Sequence, residues 1–269
     1  MELEEAEIDP SSDGASGKKS YRAPALEKGL DVLELLAEEG LPLPFPVIVR
    51  RLGRSPGELF RVAQVLEARG YVEQVPSGLV LTARMFHQGL SGPPIRGLVE
   101  IALPVMRRLA GSTHQSCHLV LPSRGDMVVV ARMESPEQLG FSVRVGYRQP
   151  LYLTGSGAVL YAFQPDDIRA AWEGMFDPVP SKGELDQFRE RAEAVRSTGH
   201  TLQPSAIAEG IMDISAPIMR GARAAAALAI PFLQPKPRRE WLSVAEIVSM
   251  LIVATQDISN QMVVGDSRA

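Results

Sequence analysis

Arg51-Leu-Gly-Arg-Ser-Pro-Gly-Glu58, continuing as Leu59-Phe-Arg-Val-Ala-Gln-Val-Leu-Glu-Ala-Arg-Gly-Tyr-Val72, is the stretch that decides the fold of the first third of this chain. Ser55-Pro56-Gly57-Glu58 sets a hydroxyl at N-cap, proline at the first helical position and glutamate at the third. That is a capping box, with proline where its missing N–H costs nothing. The helix it opens runs to Arg69 on a buried stripe of Leu59, Val62, Ala63 and Leu66, and Gly70 closes it. Burying that stripe turns Gly57, Glu58, Phe60, Arg61 and Gln64 outward. Upstream, Leu26, Leu30, Leu33 and Leu36 recur at helical spacing until Gly40, with Glu27, Asp31, Glu34 and Glu38 on the other side. A second short helix, Val47 to Leu52, ends at Gly53. Downstream, Tyr71–Val75 and Leu79–Thr82 flank Pro76-Ser77-Gly78 as two strands around a turn.

Three short helices and a hairpin make a winged helix-turn-helix, with Gly53-Arg54-Ser55 as the turn. A helix of this kind fits the DNA major groove with its first turns toward the bases. Arg61 and Gln64 can grip guanine and adenine with two hydrogen bonds each. Arg50, Arg51 and Arg54 precede the helix and suit phosphate contacts, and Ser55, Gly57, Glu58 and Phe60 complete the face. The acids of the first helix, Glu27, Asp31, Glu34, Glu38 and Glu39, can sit on the side away from DNA.

The formal net charge of -4 over 269 residues does not exclude this, because it averages a small reading head with a larger body. The single cysteine, Cys117, rules out an intrachain disulfide framework and fits a reducing compartment. The N-terminal residues are acidic, unlike a secretory leader, and no apolar run is long enough to span a bilayer. The expected location is cytoplasmic, with no membrane partner.

Residues 1–20 are rich in Glu, Asp, Ser and Gly and read as a disordered tail; 21–83 form the DNA-binding head. After Gly92-Pro93-Pro94, a helix from Ile95 to Leu109 lies within a linker assigned to residues 84–112. Its stripe of Ile95, Leu98, Ala102 and Met106 is expected to be exposed for contact with a second copy. Residues 113–265 alternate strands (Cys117–Leu121, Met127–Arg132, Val143–Gly146, Ile211–Ile218, Ala224–Pro231) with helices (Gly155–Phe163, Pro165–Met175, Glu184–Ser197, Glu240–Val263). The fold class is α+β.

Ala25-Leu-Glu-Lys-Gly-Leu-Asp-Val-Leu-Glu-Leu-Leu36, Arg51-Leu-Gly53, Phe60-Arg61 and Leu66-Glu-Ala-Arg-Gly-Tyr-Val72 resemble the first helix and helix-turn-helix of the IclR family. Ala131-Arg-Met-Glu-Ser135, Arg144-Val-Gly146, Pro150-Leu151, Thr154-Gly-Ser-Gly157 to Leu160, Gly210 and Ala216-Pro217 follow in that family's order. The resemblance spans residues 24 to 263. It implies a DNA-binding transcriptional regulator with a GAF-like effector domain: a curved antiparallel sheet and helices around a pocket for a small molecule. It implies double-stranded operator DNA as partner, a homodimer or a tetramer built from dimers, and no cofactor. The family usually begins its recognition helix with small hydroxyl residues or lysine; Gly57 and Glu58 stand there, so base preference does not carry over.

The family's ligand positions fall on Gln138, Phe141, Gly155, Ser156, Gln203, Asp213, Ala229 and Pro231. Residue chemistry adds Leu151 as an apolar wall and Thr154, whose helix start offers free N–H groups to a carboxylate. The glycines there could equally serve close helix–sheet packing. Asp213, between Met212 and Ile214, must be paired, hydrogen-bonded or protonated; Arg132 or Arg144 could supply the pair. The expected effector is a small organic acid with an apolar or aromatic body, its hydroxyl or amine meeting Asp213 at the far end. The alternative is a metal-dependent hydrolase with a docking winged helix, its ion held by His114 and His118 on one strand face with Asp213. Thr154 stands where a nucleophile elbow needs glycine, so Ser156 is not read as a nucleophile.

Overall fold

The computed structural model describes residues 23–85, 93–233 and 242–266, and the chain divides into two compact units, 1–89 and 90–269. The expected tail (1–20) and part of the expected linker (86–92) lie outside the described residues, as does the side chain of Ile95.

In the first unit, α1 (Pro24–Glu39), α2 (Phe45–Leu52) and α3 (Pro56–Ala68) precede β1 (Val72–Val75) and β2 (Gly78–Leu81). The apolar stripes converge: Val32, Leu36, Ile48, Leu59, Ala63 and Val72 form one core. The hairpin is antiparallel, pairing Val72 with Leu81 and Val75 with Gly78. Leu43 pairs with Leu79 through two backbone hydrogen bonds of 2.9 and 2.8 Å, tying the α1–α2 connection to the wing. Gly78 makes this approach possible. At its φ of +135° a Cβ would stand 2.2 Å from the Leu43 backbone, which no side chain can do.

The second unit opens with α4 (Pro93–Thr113), followed by β3 (Cys117–Ser123), β4 (Asp126–Met133), β5 (Arg148–Pro150) and a 3-10 turn (Leu151–Leu153). Then come α5 (Gly155–Ala162), α6 (Asp166–Glu173), α7 (Lys182–Thr198), β6 (Thr201–Pro204), β7 (Ile211–Arg220), β8 (Arg223–Leu233) and α8 (Val244–Asp266). The strands make one antiparallel sheet in the order β5-β4-β3-β8-β7-β6. Side chains alternate along strands, so the sheet has two unlike faces. Cys117, Leu119, Ile214, Ala216, Leu228 and Ile230 pack with Met106 and Leu109 of α4 and Leu251 and Ile258 of α8. Val120, Val129, Ala227 and Ala229 belong to a second core with Val159 and Leu160 of α5 and Phe188 of α7. Each large apolar side chain removed from water this way contributes roughly 1.5–3 kcal/mol. α7 carries a full capping box: Ser181 accepts from the Glu184 N–H, and Glu184 accepts from the Ser181 N–H at 2.8 Å.

Two expectations are corrected and one element was missed. Val143–Gly146 is not a strand: Tyr147 N–H closes a turn onto Arg144 O at 3.1 Å, and contact with β4 begins only at Gly146 and Tyr147, which bond to Val129 at 2.8 and 2.9 Å just before β5. The short edge strand β6 was not foreseen. The α4 stripe is not exposed, because Leu98, Ala102 and Met106 are buried in the second unit's own core against α8 and the sheet.

Candidate functional site

Two places gather the residues singled out in the sequence. In the head, Leu59 and Ala63 are buried, while Gly57, Glu58, Phe60, Arg61 and Gln64 are exposed along one side of α3. Phe60 meets Phe45 edge-on, ring centroids 6.1 Å apart, and yet is half exposed. Arg50, Arg51, Arg54 and Ser55 are exposed at the end of α2 and the turn after it.

The local electrostatics differ from the expectation in two ways. Ser55 is the N-cap residue, but its hydroxyl donates to Glu58 Oε2 at 2.9 Å instead of accepting from the helix backbone. Lys28 of α1 is the physical reason: its Nζ holds the other carboxylate oxygen at 2.7 Å, fixing Glu58 as an acceptor between two donors. Both contacts hold its carboxyl below the usual range. The acids of α1 do not all turn away from the basic residues. Glu39 pairs with Arg51 at 2.6 Å, and Asp31 with Arg54 at 3.3 Å. All four side chains are solvated, so each pair contributes at most about 1 kcal/mol.

The second place is a narrow cleft, with an internal volume of about 20 Å³, between the α5 face of the sheet and the segments that cross it. Phe141, Thr154, Ser156, Asp213, Ala229 and Pro231, all singled out in the sequence, line it. Strand register explains how residues so far apart in sequence meet. Thr201, Ser215, Ala229 and His118 are successive partners across β6, β7, β8 and β3. Gln203, Asp213 and Pro231 form the parallel row two residues along. Directly paired residues project to the same face, so both rows present their side chains toward α5.

Thr154 caps α5: its Oγ1 accepts from Gly157 N–H at 3.0 Å, and its carbonyl accepts from Ala158 N–H at 3.1 Å. The amides of Gly155 and Ser156 are then the donors left at this helix start. Of the two glycines, Gly157 has a packing role, since a Cβ there would stand 2.0 Å from the Leu151 carbonyl oxygen. At Gly155 a Cβ would come to 3.1 Å of Thr201 Oγ1 and 3.6 Å of Asp213 Cβ. Asp213 therefore stands beside the helix start, not at the far end from it. Among the described residues it has no arginine partner: Arg132 pairs with Glu134 at 2.8 Å, and Arg144 is exposed. Burial holds the Asp213 carboxyl above the usual range, partly offset by a hydrogen bond from Ser205.

Other expected residues fall elsewhere. Leu151 is fully buried in the core beneath α5, because its carbonyl has to meet Gly157. Gln138 is exposed on the polar loop after β4, whereas Gln203, though it also lines a groove between β6 and α7, stands beside Asp213 at the start of α5, its Cδ 3.6 Å from where a Gly155 Cβ would lie. The joint face of His114 and His118 does not form, since β3 starts only at Cys117 and His114 pairs with Glu137 at 2.8 Å. Among the described residues, no three of His, Cys, Asp and Glu are placed to hold a metal ion. Cys117 lies in the core, where burial pushes its thiol up to about 12.

Met127, Val143, Tyr147, Ser205, Ile207 and Ser215 were not anticipated from the sequence as cleft lining, and His118 was placed with Asp213 only as a metal ligand. Ser215 could have been found, because it alternates with Asp213 along β7. His118 is 7% exposed, and burial pushes its imidazole down to about 4, so it is neutral at pH 7. Among the described residues, His118 Nδ1, Ser215 Oγ and Thr201 Oγ1 are buried without a hydrogen-bond partner. Leaving such an atom unpaired costs about 1–3 kcal/mol each. Three on one row of the sheet mark a place that the fold alone does not satisfy.

Known proteins match both units. Residues 25–76 match the IclR helix-turn-helix domain and residues 95–260 the bacterial transcriptional regulator IclR C-terminal domain. The chain is 28% identical over 246 residues to the HTH-type transcriptional regulator KdgR of Escherichia coli, covering 87% of this chain and 91% of that protein. It is 27% identical over 198 residues to the glycerol operon regulatory protein of Streptomyces coelicolor, covering 72% and 78%. Its fold is that of an IclR homolog from Microbacterium hydrocarbonoxydans solved with 4-hydroxybenzoate, with a TM-score of 0.74 at 22% identity over 88% of this chain and 98% of that one. The Thermotoga maritima IclR gives 0.65 at 19% identity over 88% and 97%. The chain belongs to the IclR family of bacterial transcriptional regulators: it is a DNA-binding regulator and not an enzyme.

Proposed function

We propose that a small organic acid with an apolar or aromatic body binds the cleft of the second unit and controls binding of the head to operator DNA. The observation that carries this reading is the cleft itself: apolar walls from Phe141, Met127, Val143, Ile207 and Pro231 around buried polar atoms without partners. The carboxylate is received by the Gly155 and Ser156 amides at the start of α5, where the helix dipole favours negative charge. Asp213 stands beside that seat, and two adjacent carboxylates cannot both stay ionised. Asp213, already held toward its protonated form, takes up the proton and donates to the ligand. The structural relative crystallised with 4-hydroxybenzoate supports an acid of this size.

On DNA, Arg61 and Gln64 read base edges, while Arg50, Arg51 and Arg54 contact phosphates. Ser55, Gly57, Glu58 and Phe60 border the contact. One such helix reads too few bases for a useful specificity, so the working unit is a homodimer. The effector acts by binding the DNA-competent and incompetent states with different affinity, and only that difference can shift operator occupancy.

The test is a thermal-shift screen of organic acids on the full chain, followed by operator-binding titrations with each hit. A ligand of the cleft raises the melting temperature and changes operator affinity. Hits that leave operator affinity unchanged would refute the control reading.

A further inference from the structure

His118 and Ser215 are assigned no role by the acid seat at α5. They lie on β3 and β7, each directly paired with Ala229 of the strand between them. With strands about 4.8 Å apart, their Cβ atoms stand about 10 Å from each other, and between them only a methyl group rises from the sheet. The result is a notch with a polar wall on either side and Ala229 as its floor. Both walls are buried, Ser215 at 1% exposed, and both line the cleft. His118 Nδ1 and Ser215 Oγ each lack a partner.

The charge around the notch narrows what can fill it. Among the described residues, the cleft lining contains no lysine or arginine, and Asp213 is its only carboxylate. The buried imidazole is neutral. A second anionic group of the ligand would be desolvated there with no cation to pair with. An ammonium would be desolvated too, its nearest counter-charge two residues away along β7 and already committed to the acid seat. An uncharged oxygen incurs neither cost. Neutral imidazole offers one donor and one acceptor by choice of tautomer, and a serine hydroxyl does both, so the pair accommodates a hydroxyl or a carbonyl. From Asp213, the notch lies about 7 Å along the strand and up to about 10 Å across it, the span of one substituted ring.

Resting on the acid-binding reading above, we propose that the end of the effector remote from its carboxylate is an uncharged hydroxyl or carbonyl oxygen, bridging His118 and Ser215 over Ala229. These two residues then set effector specificity. The ligand class is a hydroxy- or oxo-substituted acid, as opposed to a diacid or an amino acid.

The experiment uses the full chain, its Ser215→Ala and His118→Leu variants, and two probes of equal shape, 4-hydroxybenzoate and 4-methylbenzoate. Thermal melting without ligand comes first. Because neither polar atom has a partner, both variants should melt at or above the wild-type temperature. Calorimetry then compares the probes. Wild type should prefer 4-hydroxybenzoate roughly tenfold to a hundredfold, each variant should lose most of that preference, and His118→Gln should restore part of it. Variants that melt clearly lower, or that weaken both probes alike, overturn the proposal by making the pair structural. If both probes bind and change operator affinity without discrimination in any variant, the acid-effector reading stands and this one falls. If wild type binds neither probe at millimolar concentration, both fall.

Discussion

Acidification gives a direct measure of how deeply His118 is committed to its neutral form. Burial lowers its folded-state pKa to about 4, against about 6.5 in the unfolded chain. The group therefore adds stability above pH 6.5 that is lost as pH falls toward 4, where the unfolded chain binds a proton the folded one resists. Linkage puts the loss at about 1 kcal/mol by pH 6, about 2 by pH 5 and about 3 by pH 4. Carboxylates titrate in the same range, so the quantity to follow is the difference between wild type and His118→Leu. Urea unfolding watched by tryptophan fluorescence suits the purpose, since Trp172 and Trp241 are the only tryptophans and both belong to the second unit. Stability of wild type relative to the variant should fall by about 3 kcal/mol between pH 7.5 and 4. A difference that stays flat over that range would show that water reaches the imidazole, and the neutral wall of the notch would be lost with it.

Gly157→Ala should destabilise the second unit by roughly 3 kcal/mol or more, because the clash is with the Leu151 backbone and no flexible side chain can yield; a melt within a degree of wild type would refute this. Arg61→Ala should weaken specific operator binding by roughly 1–3 kcal/mol and relax choice at one base pair, and unchanged binding would show α3 to be oriented otherwise. Glu39→Gln releases Arg51 to the phosphates, so affinity for any DNA should rise and the salt dependence steepen by up to about one counterion. With Asp213→Asn, binding of a carboxylate probe should cease to weaken as pH rises, whereas wild type should weaken because it must take up a proton; calorimetry at two pH values separates the cases.

The head was legible in the sequence because its signals are local. Leucines at helical spacing, glycines at Gly40, Gly53 and Gly70, and the Ser55-Pro56 start each act within a few residues. The finer electrostatics were not legible, since Lys28 reaches Glu58 from another helix 30 residues away. In the second unit the long strands and helices announced themselves by pattern. β6 did not, being four residues long at the sheet edge and ending in Pro204. The α4 stripe showed that a face is buried but not against what, and its partner α8 lies at the other end of the chain. The cleft was half legible. Asp213 stood out as a carboxylate among apolar neighbours and Ser215 follows from alternation along the same strand, but His118 joins them only through cross-strand register, which no local pattern carries.

The two faces of the sheet separate demands that proteins often place on the same residues. Along β7, Ile214, Ala216 and Ile218 go to the packed core, while Asp213 and Ser215 go to the cleft; along β8, Leu228 and Ile230 go to the core, while Ala229 and Pro231 go to the cleft. Tolerance to mutation should therefore differ along these strands: Ile214, Ala216, Ile218, Leu228 and Ile230 protect folding, whereas Asp213, Ser215 and Pro231 are free to vary with the ligand. Descendants of this fold can change what they sense by substitutions at a few alternating positions of two strands, without disturbing the register that holds the sheet together.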